Sequence, residues 1–183
     1  MQISDTTIPA VKLVTHPRFG DERGFLMETF QATRFREAGI TVDFQQDNLS
    51  YSMARGTVRG LHFQIPPAEQ AKLVFVLQGA IVDVAVDLRS DSATFGKHVS
   101  YVLDDQQGSQ LYIPAGFAHG FATLQPNTLV YYKISSPYSP DHERGLLWND
   151  PDMEIDWQVS TENAVLSERD QYHPRLRELK PYF

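Results

Sequence analysis

The sequence predicts an all-β fold, a double-sheet jelly-roll barrel with a few short peripheral helices. Three observations carry that prediction. Short β-rich segments recur at close spacing, turn signals separate them, and a single segment in the first half has a helical signature. No low-complexity tract or Pro/Gly/Ser linker divides the 183 residues, so a single domain over 1–183 is expected.

In chain order, strands are expected near residues 10–15, 43–51 and 57–64. Helix is expected over Gln31–Ala38, with Gly39 as its terminator. Lys72-Leu73-Val74-Phe75-Val76-Leu77 is β-rich, and Gln78-Gly79-Ala80 reads as the tight turn into the next strand. In Ile81–Leu88, Val82, Val84, Val86 and Leu88 alternate with Asp83 and Asp87, which predicts a half-buried strand. Further strands are expected near 97–103, 109–113, 119–124 and 128–134, separated by Asp104-Asp105, Pro114-Ala115-Gly116 and Gln125-Pro126-Asn127. The segment Glu162–Leu179 should hold one or two helical turns broken by Pro174. A barrel of this kind has a mouth lined by inward-pointing side chains, a natural ligand site.

Composition narrows the function. A net charge of −7 argues against non-specific nucleic-acid binding, which needs a basic face. The chain has no cysteine, which removes disulfides, thiolate catalysis and iron–sulfur clusters together. Neither a signal peptide nor a membrane-length apolar run is visible, so a cytoplasmic protein with no membrane partner is expected.

Two-part cupin barrels carry G-x5-H-x-H, then an acid separated by six residues from a glycine, and later G-x5-P-x-G-x2-H. This chain keeps Gly56, His62 and Gly79, then Gly108, Pro114, Gly116 and His119. Two metal-ligand positions differ: Gln64 replaces the second histidine and Lys72 replaces the acid. A lysine ammonium has three donors and no acceptor, so it repels a cation and attracts an oxyanion. The prediction is a cupin-like pocket with no metal, turned toward anion and proton chemistry.

Several side chains admit both a structural and a chemical reading. Strand alternation puts Gly60, His62 and Gln64 on one side, opposite Leu61 and Phe63. His62 is then either a structural histidine or a general base. Lys72 is either a strand-end lysine reaching for water or a fixed cation beside a developing enolate. Only one of Tyr131 and Tyr132 can face the interior, where a tyrosine could serve as a proton donor opposite the base. Ser167 before Glu168-Arg169-Asp170 reads as the cap of a helical turn; the sharper alternative folds Asp170 back to orient His62. Arg23 and Arg59 would suit a diphosphate, and Gln46 and Asn48 a uracil-like base edge.

The chain resembles the dTDP-4-dehydrorhamnose 3,5-epimerase family of metal-free, cupin-type sugar-nucleotide enzymes. The resemblance runs from about residue 8 to Asp170, through Gln46-x-Asn48-x-Ser50-x-Ser52, Arg59-Gly60-Leu61-His62-x-Gln64, Lys72-Leu73-Val74 and Ile113-Pro114-x-Gly116-Phe117-Ala118-His119-Gly120-Phe121. Trp148-Asn149-Asp150-Pro151 and Leu166-Ser167-x-x-Asp170 complete it. It implies His62 as base paired with Asp170, Tyr132 as acid on the opposite face, and Lys72 as the enolate's cation. It also implies substrate contacts from Phe19, Arg23, Glu28, Gln46, Asn48, Arg59, His119 and Glu143. One departure is Arg169, where relatives commonly carry lysine; it too is a candidate substrate contact. The implied reaction needs no cofactor: the ketone at carbon 4 acidifies carbons 3 and 5, and each is deprotonated and reprotonated from the other face.

Three alternatives stand beside this one: an epimerase acting at one carbon, a metal-dependent cupin oxygenase or isomerase, and a non-catalytic sugar-nucleotide binder. The second has only His62 and His119 as good ligands. A homodimer is expected, with the strand at residues 8–15 pairing onto another subunit's sheet.

Overall fold

The computed structural model describes residues 1–183 and places two antiparallel sheets face to face. The first sheet contains β1 (Gln2–Asp5), β2 (Lys12–Thr15), β5 (Gln46–Ser52), β7 (Lys72–Gln78), β10 (Gln110–Ile113) and β12 (Thr128–Ile134), in the order β1-β2-β10-β7-β12-β5. The second contains β6 (Val58–Gln64), β8 (Ala80–Asp87), β9 (His98–Asp104), β11 (Phe117–Thr123) and β13 (Glu143–Gly145), in the order β13-β6-β11-β8-β9. A separate hairpin joins β3 (Phe19–Asp21) and β4 (Gly24–Leu26). This is the jelly-roll, cupin-like architecture that the strand spacing predicted.

Three apolar layers hold it together. Val74, Val76, Ile81, Ala85, Leu111, Ile113, Phe121 and Val130 fill the space between the sheets. Behind the second sheet, Val82, Val84 and Val86 pack with Leu61, Phe63, Trp148 and Trp157. There the Trp157 indole N–H donates to the Trp148 carbonyl at 2.7 Å, so its polar atom is satisfied in the dry layer. Behind the first sheet, the helix α1 (Ala32–Glu37) sets Phe35 against Val14, Leu73 and Tyr112. The helix stops where glycine predicted: Gly39, at φ +87°, donates to the Arg36 carbonyl and Ile40 to that of Phe35.

The structure corrects several expectations. The strand at Ile81–Leu88 is buried on both faces, because the valines face the tryptophan layer and Asp83 faces the barrel interior rather than water. Residues 8–15 are not a free strand: only Lys12–Thr15 is β, lying between β1 and β10 of its own sheet. The expected C-terminal turns are three 3-10 turns, at Thr161–Asn163, Arg169–Gln171 and Leu176–Glu178. The short strands β1 and β13 were not expected, since three or four residues carry too little alternation to read.

Candidate active site

A cleft of about 650 Å³ opens between the inner faces of the sheets, where β7 begins and β12 ends. Strand alternation supplies its walls. Gln46, Asn48 and Ser50 point in from β5, Tyr132 and Ile134 from β12, and Lys72 from β7. From the facing sheet come His62 and Gln64 on β6, and His119 and Phe121 on β11; Arg59 falls on the opposite alternation from His62 and joins this wall through the register shift between β6 and β11.

His62 and Asp170 meet there. The His62 Nε2 lies 2.6 Å from the Asp170 Oδ1. Asp170 arrives on the Arg169–Gln171 turn, and its backbone N–H donates to the Ser167 hydroxyl at 3.2 Å. The capping and orienting readings of this segment are therefore compatible. Burial alone would raise the Asp170 carboxyl, but the imidazoles of His173 and His62 beside it hold it well below the usual carboxylate range.

Lys72 reaches across the cleft, its ammonium 3.4 Å from the His62 carbonyl. Burial pushes this lysine down to about 8, against the opposing attraction of Asp83 and Glu143. Asp83 is fully buried and its Oδ1 lies 2.7 Å from the His119 Nε2, while its Oδ2 has no hydrogen-bond partner. Burial also lowers His119, although Asp83 opposes the shift. Tyr132 is held above the ordinary tyrosine range by burial, with Arg59 pulling the other way.

At the rim, Arg169 forms a forked pair with Glu143, at 2.5 and 2.9 Å, and also stands 3.4 Å from the His62 Nε2. The Tyr138 hydroxyl donates to Glu143 at 2.8 Å. Gln46 donates to Asn48 at 2.8 Å and accepts from the Tyr138 backbone, so the two amides present one connected polar edge. Arg59 is steadied by Ser52 and by the Tyr51 carbonyl. The Gln64 amide bonds to the backbone of Ala68, Pro137 and Ser139, which spends its polar groups on loop structure.

Ten sequence candidates thus converge on one cleft: His62, Lys72, Tyr132, Asp170, Gln46, Asn48, Arg59, His119, Glu143 and Arg169. Phe19, Arg23 and Glu28 lie apart from it. Phe19 is 65% exposed on the β3–β4 hairpin, Arg23 pairs with Asp21, and Glu28 pairs with Arg34 at 2.9 Å. The hairpin belongs to neither large sheet and lines no part of the cleft. Asp83, Tyr138 and His173 were not anticipated. The alternation in Ile81–Leu88 did separate Asp83 from the valines, but pattern alone does not say which face is solvent.

The sequence profile of dTDP-4-dehydrorhamnose 3,5-epimerases matches residues 5–178. A dTDP-4-dehydrorhamnose 3,5-epimerase of Sinorhizobium fredii is 48% identical over 183 residues, covering 100% of this chain and 93% of that protein. The crystal structure of the Bacillus anthracis dTDP-4-dehydrorhamnose 3,5-epimerase with TDP and PPi bound superposes with a TM-score of 0.92 at 46% identity, covering 95% of this chain and 98% of that one. That of Legionella pneumophila dTDP-6-deoxy-D-glucose-3,5-epimerase in complex with dTDP-4-keto-L-rhamnose gives 0.93 at 42% identity, covering 98% and 94%.

Proposed function

The chain belongs to the dTDP-4-dehydrorhamnose 3,5-epimerase family, and from that premise we propose how its own residues perform the reaction. The enzyme is an isomerase of dTDP-L-rhamnose biosynthesis. It converts dTDP-4-dehydro-6-deoxy-D-glucose to dTDP-4-dehydro-L-rhamnose by inverting carbons 3 and 5.

His62 is the base. With its Nε2 hydrogen committed to Asp170, Nδ1 is left as the proton acceptor, and the carboxylate stabilises the imidazolium that forms. Removing the proton next to the ketone drives charge onto the carbonyl oxygen. The buried ammonium of Lys72 offsets that charge without having to reorganise, as preorganised cations do at developing enolates. Tyr132 projects from the opposite sheet and returns a proton to the other face of the carbanion. The observation that carries this reading is the arrangement itself: base and carboxylate on one wall, cation and phenol on the other, in one cleft. Gln46, Asn48, Arg59, His119, Glu143 and Arg169 line the remainder and hold the nucleotide sugar.

Homodimerisation accounts for Phe19, Arg23 and Glu28. The outer face of β7, β12 and β5 carries apolar rows that α1 does not cover: Leu49 is 63% exposed, Tyr51 49% and Leu77 48%. A second copy would bury that face, and the hairpin with exposed Phe19, Phe25 and Leu26 would reach the partner's cleft to supply the remaining substrate contacts. No helix is long and apolar enough to cross a membrane, and we place the enzyme in the cytoplasm, where nucleotide sugars are made.

The test is proton exchange in heavy water, followed by mass spectrometry and NMR of the sugar. The wild-type enzyme should place deuterium at carbons 3 and 5, and His62→Ala should place none. Deuterium at one carbon alone would reassign the enzyme to single-carbon epimerisation, and none at either would sink the assignment.

A further inference from the structure

Behind the His62–Asp170 pair lodges a second imidazole, that of His173. Its ring centroid is 5.7 Å from that of His62, with the planes at 85°. Its Nε2 lies 3.4 Å from the Asp170 Oδ1, the same oxygen that His62 meets at 2.6 Å. That nitrogen is buried and makes no well-aligned hydrogen bond. The segment carrying it is pinned: the Leu147 N–H donates to the Pro174 carbonyl at 2.8 Å, and the Leu176 N–H to Asp150 at 2.8 Å.

Room for the ring comes from Gly145. The atoms of the His173 imidazole occupy the place where a Cβ on residue 145 would stand. Gly145 is also the register partner of His62, so the bare α-carbon lies beside the base. A buried, unpaired ring nitrogen is costly, and here it is aimed at the one carboxylate oxygen that the base depends on. The three side chains sit close enough together to suggest a metal site. The Arg169 guanidinium, 3.4 Å from the His62 Nε2, opposes a cation there.

We propose that His173 is a positioning residue for proton transfer, clamping Asp170 from the side away from the cleft, and that Gly145 is the space that admits it. The inference rests on His62 being the base. As His62 cycles between neutral and charged, Asp170 must hold its place and its charge. A second donor directed at Oδ1 fixes the carboxylate and takes up part of its basicity, so that the imidazolium sheds its proton to solvent more readily before the second carbon is deprotonated. The other charged groups around His62 are Arg169 and Glu143 at the rim and Lys72, with His119 beside them, and these remain unchanged when His173 is altered.

The experiment compares kcat and KM across pH for wild type, His173→Phe, His173→Gln and Gly145→Ala, with melting temperatures for each. His173→Phe should lower kcat about tenfold or more, in the range typical of lost outer-shell partners, and leave KM within about twofold. Its low-pH limb of kcat should move to higher pH, and His173→Gln, which keeps an N–H donor, should recover most of the loss. Gly145→Ala should reproduce the defect by displacing the ring, and the double variant should be no worse than either single one. Wild-type kcat in His173→Phe would overturn the proposal. So would a fall in kcat that tracks melting temperature, leaves the low-pH limb in place and is not recovered by glutamine. Deuterium exchange by the wild-type enzyme separates the two questions: if it is absent, the epimerase reading has failed rather than the role of His173.

Discussion

The Nε2 of His62 and the Oδ1 of Asp170 stand 2.6 Å apart although they are 108 positions apart in the chain. One sits mid-strand on β6, and the other rides a 3-10 turn in the C-terminal segment that wraps the second sheet. Asp170→Asn keeps the size of the side chain but removes the charge that supports imidazolium. Its kcat should fall about 10²-fold or more, the scale of a lost general base, while dTDP affinity measured by calorimetry stays within about threefold. A kcat near wild type would remove Asp170 from the mechanism.

Lys72 carries its charge at a cost. Its folded value, about 8, lies below the usual lysine value of 10.5, so between these the unfolded chain binds more protons and stability rises with pH. Below about 8 the buried ammonium penalises folding by about 3 kcal/mol, an order-of-magnitude conversion of that shift. Lys72→Met should therefore raise the urea midpoint at pH 7 while abolishing measurable turnover. A variant that is both less stable and still active would contradict this account.

Asp83 is the stronger of the two anionic supports for Lys72, and it also accepts from His119. Replacing it with asparagine removes the attraction that favours the ammonium. The high-pH limb of kcat should then move to lower pH, because Lys72 loses its proton sooner. An unmoved limb in Asp83→Asn would show that this carboxylate only braces His119.

The proposed dimer predicts that Leu49→Arg, which places a charge on the apolar rows of β5 and β12, gives a monomer. Light scattering at micromolar concentration should give the monomer mass, with KM raised because the hairpin residues no longer reach a partner's cleft. Arg23→Ala should raise KM in a protein that stays dimeric. A wild-type protein of monomer mass would end the dimer reading.

The fold was legible where chemistry and period agreed. The strands from residue 46 to 134 were expected within a few residues, because alternation, β-branched residues and turn signals coincide there. Gly39 ended α1 as predicted, since the left-handed position at a helix terminus is a local property. The three-residue strand β13 was not legible, and the C-terminal segment only as one or two helical turns instead of three 3-10 turns, because the stability of such short pieces comes from what they pack against.

By itself the sequence determined which side chains share a strand face. His62 with Gln64, and Gln46 with Asn48, are set by a period of two that any β-strand obeys. It also determined that Lys72 and Gln64 stand where metal ligands would, because residue identity and spacing suffice for that. Tertiary structure alone decided which face of β8 is the interior, and so made Asp83 a buried counter-charge instead of a solvated one. It alone brought Asp170 and His173 to His62 and left the β3–β4 hairpin apart from the cleft. The reason is that alternation fixes a side chain's direction relative to its strand, whereas the identity of the facing surface depends on how distant segments pack.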